Sequence, residues 1–176
     1  MKRTHFLQTL FFFVFAACLS LAGHAQNPPA SPPAKATGKI GDANITIDYS
    51  APSVKGRKIF GGLEAYGKPW RAGANRATIL ETDKAITVEG KALPAGKYTL
   101  FLTPGENEWT VILNSETGQW GIKRGGEANR DPAKDVLTAV VKPVKSSTLT
   151  EQLAYSVNSN GITLKWENVE VPISVK

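Results

Sequence analysis

From Thr37 to the C-terminus the hydrophobic positions recur with a period of two, the repeat of a half-buried strand. Ile45, Ile47 and Tyr49 alternate with Asn44, Thr46, Asp48 and Ser50. Ala77 to Thr82 and Ala85 to Val88 read as two short strands joined at Asp83-Lys84. Tyr98 to Thr103 and Trp109 to Asn114 are apolar on both parities, so they predict central strands, joined by a turn at Pro104-Gly105-Glu106-Asn107. Val136 to Val144, Leu153 to Val157, Ile162 to Trp166 and Val169 to Val175 follow, with a turn at Asn158-Ser159-Asn160-Gly161. Pro172 cannot donate to a ladder, which places the last strand at an edge. No stretch of ten residues in this region carries a helical stripe. About eight to ten short strands with Gly, Pro and Asn turns predict an all-β fold: an antiparallel β-sandwich or a sandwich-like barrel.

The first residues read differently. Lys2 and Arg3 precede a continuous apolar run of 12 residues, Leu10 to Leu21, followed by the small residues Gly23 and Ala25. A spanning helix needs about 20 apolar residues, so this pattern predicts a signal peptide, residues 1–25, cleaved after Ala25, with no transmembrane segment after cleavage. A rival reading takes Phe15-Ala16-Ala17-Cys18 as a lipoprotein box with Cys18 as the acylated residue. Residues 26–36 hold four prolines in 11 positions and read as an extended tether, leaving 37–176 as a single domain. The implied location is periplasmic or secreted.

The leader changes the composition. Cys18, His5, His24 and Met1 all lie within it, so the remaining 151 residues carry no Cys, His or Met. This excludes a disulfide, a cysteine nucleophile, a Ser-His-Asp triad and a His or Cys metal site after cleavage. No calcium-loop pattern occurs either, and no cofactor is implied. Loss of Lys2 and Arg3 lowers the formal charge from +6 to +4. That charge is spread along strands rather than gathered in a stripe, which argues against nucleic acid.

Two segments break the strand pattern, Pro52 to Asn75 and Thr117 to Lys134, and irregular segments on a β scaffold are where binding residues concentrate. In and beside the first, Arg57, Lys58, Lys68, Arg71 and Arg76 surround one acid, Glu64, with Trp70 next to Arg71 and Asn75 next to Arg76. Guanidinium groups bind carboxylates and phosphates, and an indole offers a stacking face. Arg57, Trp70, Arg71 and Asn75 are therefore candidate ligand residues. The structural alternative has Trp70 plugging one end of the sandwich. In the second segment Trp120, flanked by Gln119 and Gly121, is a fifth candidate; the alternative is a lid over the core. Trp109 and Trp166 sit in strand register and are assigned to the core. Gly62 to Lys68 fits the first seven positions of a phosphate loop, but Pro69 replaces the required hydroxyl residue and neither flanking element is present. Paired carboxylates, Asp48 and Glu81 among them, leave a hydrolase open.

The segments Tyr49 to Gly61, Tyr66 to Asn75 (containing W-R-x-G-A-N), Leu93 to Phe101 (L-P-A-G-x-Y-x-L), Glu108 to Ile112, Gln119-Trp120-Gly121 and Asp135 to Leu137 together resemble the domain-of-unknown-function 2911 family of exported, mainly Bacteroidota-type proteins. The resemblance runs from about Ala34 to Val175. It implies an envelope or secreted location and no particular activity. Ala51 stands where the family commonly has a basic residue, and Arg76 where it commonly has an acid. The sequence thus points to a non-enzymatic domain binding a glycan or an anionic small molecule through Arg57, Trp70, Arg71, Asn75 and Trp120. The alternatives are a module docking on an envelope protein and a paired-carboxylate hydrolase.

Overall fold

The computed structural model describes residues 29–176. The expected signal peptide, its cleavage after Ala25 and Cys18 lie outside the described residues. Ten strands follow in order: β1 (Pro33–Ile40), β2 (Ala43–Ser50), β3 (Thr78–Thr82), β4 (Ile86–Val88), β5 (Lys91–Leu93), β6 (Gly96–Thr103), β7 (Trp109–Asn114), β8 (Asp135–Val141), β9 (Val144–Asn158) and β10 (Gly161–Ser174). Every strand pairing is antiparallel. One six-stranded sheet has the order β1-β2-β3-β6-β7-β8. The β9–β10 and β4–β5 pairs form the facing layer, joined where Val88 bridges Val175. The all-β, sandwich-like reading holds, and no described helix is long and apolar enough to cross a membrane.

The inward positions of the alternating strands make the core. Ile45, Ile47, Leu80, Leu100, Leu102, Val111 and Leu113 come from the large sheet, and Leu153, Ile162, Leu164, Trp166 and Ile173 from the facing layer. Strands β6 and β7 are apolar on both faces for a visible reason. Their outer face carries a second small cluster, Ala77, Phe101 and Ile112, against which Ala128 of the irregular segment packs. That segment is tied down at its root. Buried Asn114 donates to the Asp131 carbonyl and to Asp135 Oδ1, each at 2.8 Å, and Arg130 pairs with Asp135. The predicted turns at residues 104–107 and 158–161 join the strands expected.

Three boundaries differ from the sequence reading. First, β1 begins at Pro33, inside the expected tether. Ala36 is buried, and Pro33 takes the first position of an edge strand, where a missing donor costs nothing. Second, the predicted strand Val136–Val144 ends at Val141, and the predicted strand Leu153–Val157 is only the end of β9, which begins at Val144; the expected join at Asp83-Lys84 is present and carries the chain from one sheet to the other, with Asp83 Oδ1 accepting from Asn44 N at 2.7 Å. Third, the two last predicted strands are one element, β10, which turns a corner at Glu167 (φ 56°). Pro172 lies beyond Glu170, the last residue paired with β9, and before the residues that meet β4.

The corner folds the end of β10 back over its own beginning. A Cβ on Gly161 (φ 139°) would lie 2.2 Å from the Ile173 carbonyl oxygen. The obstacle is backbone and cannot rotate away. Gly161→Ala is therefore expected to destabilise the fold by about 2 kcal/mol, through contact and conformational strain together. Urea denaturation measures this; an unchanged midpoint would disprove the close approach.

Candidate functional site

The segment from Trp70 to Asn75 is irregular yet fully engaged. Trp70 exchanges backbone hydrogen bonds with Leu102 at 2.7 and 2.9 Å. The Ala72 carbonyl accepts from Thr78 Oγ1 at 2.9 Å and from the buried Tyr155 hydroxyl at 2.8 Å. Burial beside Tyr49 pushes the Tyr155 hydroxyl well above the ordinary phenol range. Trp70 itself is only 3% exposed. Its Nε1 donates to the Gly73 carbonyl at 3.0 Å, and its ring stacks on Trp166 with centroids 5.6 Å apart. Phe60 sets its edge against Trp70, Trp109 and Trp166. Trp70 thus departs from the expected ligand face: it is the plug of the core, because the pairing with Leu102 directs it inward.

Asn75 is exposed, but its backbone is left-handed (φ 57°), a conformation Asn tolerates better than most residues. Its Nδ2 donates to the Ser31 carbonyl at 3.2 Å. The structure therefore gives Asn75 a turn to make and an N-terminal segment to hold. Arg57 folds onto its own turn, donating from Nε to the Val54 carbonyl at 3.0 Å and from Nη2 to the Ser53 carbonyl at 2.6 Å.

Arg71 is the candidate with unmet needs. It is half-buried, its stem crosses Gly121, and a Cβ on Gly121 would fall 2.0 Å from Arg71 Cδ. Its Nε is buried with no hydrogen-bond partner. Burial lowers its pKa, while Glu64 opposes the shift. Glu64 is held by a tight turn, its N–H donating to the Ile59 carbonyl and its carbonyl accepting from Gly61 N, each at 2.9 Å. Burial raises the Glu64 carboxyl from 4.5 to about 7, against the pull of Arg71 and then Arg57. Both arginines act on Glu64, yet Glu64 forms no ion pair within 4.0 Å with either of them.

Trp120 is 53% exposed and stands directly across from Arg76 in a two-residue ladder. The structure gives the grouped candidates different partners. Arg57, Glu64 and Arg71 form one cluster; Trp120 belongs with Arg76; Trp70 and Asn75 serve the scaffold.

The protein-of-unknown-function family DUF2911 matches residues 31–175. The chain belongs to that family. No curated protein and no solved structure matches it. In this DUF2911 domain the W-R-x-G-A-N segment is largely a packing device, and Arg71 keeps one buried donor, Nε, without a protein partner.

Other candidates take structural places. Asp48 and Glu81 share the outer face of the large sheet, but Lys35 holds Asp48 at 2.9 Å and Lys97 holds Glu81 at 3.1 Å. In the phosphate-loop lookalike, five of the seven N–H groups, those of Gly62, Leu63, Glu64, Gly67 and Lys68, donate to protein carbonyls and so do not cradle a phosphate. Among the described residues no three His, Cys, Asp or Glu converge as metal ligands would. A cavity of about 570 Å³ opens between Lys142, Asn158, Asn160 and Ser174, and one of about 270 Å³ between Tyr66, Trp109 and Val144. None of the five predicted residues lines either cavity. Sequence reasoning named Glu64, Arg76 and Gly121 only as neighbours of the candidates. Glu64 stood out as a lone acid, Arg76 as a basic residue that departs from the family pattern and Gly121 as the glycine beside Trp120, but the Arg76–Trp120 pairing was not visible before the register was fixed.

Proposed function

We propose that this is an exported, non-enzymatic binding domain of the bacterial envelope, and that it takes a small oxyanion at Arg57, Glu64 and Arg71. The short apolar run after Lys2 and Arg3, followed by the small residues Gly23 and Ala25, supports the location. One observation carries the site: a half-buried guanidinium has an unpartnered Nε, and the acid beside it, raised to about 7, is only about half ionised at neutral pH. Such a cluster is short of negative charge. A carboxylate, sulfate or phosphate group would supply it through charge-assisted hydrogen bonds.

Sulfate is the useful probe because it does not titrate between pH 5.5 and 8. Its affinity is expected to rise as pH falls through about 7, where Glu64 takes up a proton and stops competing for the arginines. Isothermal titration should show Arg71→Gln weakening sulfate by about tenfold, or roughly 1.4 kcal/mol. Gly121→Ala, which displaces the Arg71 stem, should act in the same direction with the guanidinium still present. Equal sulfate affinity in wild type and Arg71→Gln would overturn the assignment.

A further inference from the structure

We propose that Trp120 and Arg76 form a separate platform for an acidic saccharide, with a uronic acid ring on the indole face and its carboxylate on the guanidinium.

The four tryptophans of this chain divide sharply. Trp70, Trp109 and Trp166 are buried, whereas Trp120 is left more than half exposed. An exposed indole on a floppy loop would be unremarkable, but this one is fixed. Ala77 N donates to the Gln119 carbonyl at 3.3 Å and Gly121 N donates to the Asn75 carbonyl at 3.0 Å. These two bonds flank the Arg76–Trp120 bridge, which makes it the non-hydrogen-bonded kind of antiparallel pair. In such a pair the Cα atoms lie about 4.5 Å apart and both side chains rise from the same face.

Arg76 is fixed as well. Its Nη1 donates to the Gly118 carbonyl at 2.9 Å. No described carboxylate pairs with it. A guanidinium has five N–H donors, so most of its capacity faces outward. Gly118 and Gly121 put no side chain beside the ring, and a Cβ on Gly118 would meet nothing within 4 Å. Beneath the platform, Ala77 belongs to the small outer cluster with Phe101 and Ile112. The ring and the charge are thus presented together on a rigid base.

The chemistry selects the ligand. The apolar C–H face of a pyranose suits an indole, and a carboxylate suits the guanidinium fork. Trp120 is the single large apolar side chain exposed between residues 115 and 134, and Lys123, Arg124 and Glu127 later in the same segment are exposed and charged. A protein partner would need an apolar patch with a rim, not one ring among polar neighbours. This site shares no side chain with the Arg57–Glu64–Arg71 cluster, so either assignment can fail without the other.

The test follows the four indole N–H signals by NMR during titration with trigalacturonate, and in parallel with maltotriose as the neutral comparison. Trigalacturonate should shift the Trp120 signal and saturate by about 10 mM. Trp120→Ala should abolish saturable binding, and Trp120→Phe should restore part of it. Arg76→Gln should weaken trigalacturonate by about tenfold and leave maltotriose unchanged. Both side chains are exposed, so the unfolding midpoint serves as a control and should not move. No shift of the Trp120 signal at about 10 mM, or equal affinity for the two sugars, would overturn the proposal. So would a stoichiometric envelope protein captured by wild type and lost in Trp120→Ala, with no response to either sugar.

Discussion

Trp70→Ala is expected to destabilise the domain by about 3–5 kcal/mol, the cost of emptying a large aromatic site in a close-packed core. The ring is 3% exposed, stacks on Trp166 and meets Phe60 in a T-shaped contact, so its removal takes one aromatic contact from each of them. Aromatic pairs add about 0.5–1.5 kcal/mol beyond their buried area. For a domain of this length the thermal midpoint should fall by about 10 °C. Trp70→Phe should recover most of the packing but lose the Nε1 bond to the Gly73 carbonyl, costing about 1–2 kcal/mol. Urea and thermal unfolding measure both. A loss below about 1 kcal/mol for the alanine variant would contradict the plug and return Trp70 to the surface.

The second large effect is a pH dependence of stability that runs opposite to that of most carboxylates. Burial raises the Glu64 carboxyl from 4.5 to about 7 in the folded chain. Between those values the folded protein holds a proton that the unfolded chain has released. Stability from this group is therefore complete below about pH 4.5, declines as pH rises, and levels off above about 7. At 1.36 kcal/mol per pKa unit the limit is about 3 kcal/mol, and partial solvation reduces it to roughly 2. Other groups titrate in the same range, so the informative quantity is the difference between Glu64→Gln and wild type. The variant should gain about 2 kcal/mol relative to wild type from pH 4.5 to 7.5 and nothing beyond. A flat difference across that range would show Glu64 to be solvated and would remove the basis for pH-dependent sulfate binding.

These two residues show how unevenly the chain discloses its parts. Trp109 and Trp166 were assigned to the core from strand register alone, and both are buried. Trp70 lies outside any periodic run, so its direction was open until pairing with Leu102, 32 positions along the sequence, turned it inward. Glu64 was visible as a lone acid among basic residues, but desolvation depends on neighbours that sequence does not supply. Asn75 looked like a ligand contact and is a left-handed turn residue, for which its type already gave a structural reason. Arg76 marked a departure from the family pattern, and it became informative only when Trp120 was found opposite it.

What the sequence determined by itself was local and periodic. The two-residue alternation gave the all-β class, most of the strands and the core side of alternating ones such as β2. The absence of Cys, His and Met from residues 26–176 set which side-chain chemistry that stretch lacks. The tertiary structure decided what depends on distant partners: the start of β1 at Pro33, the corner of β10 at Glu167, and the division of the candidate residues into a core plug, a charged cluster and an exposed platform. The physical reason is that a side chain's periodicity is set by its own backbone. Its burial, its pKa and its free donors are set by residues brought close only when the sheets pair and pack.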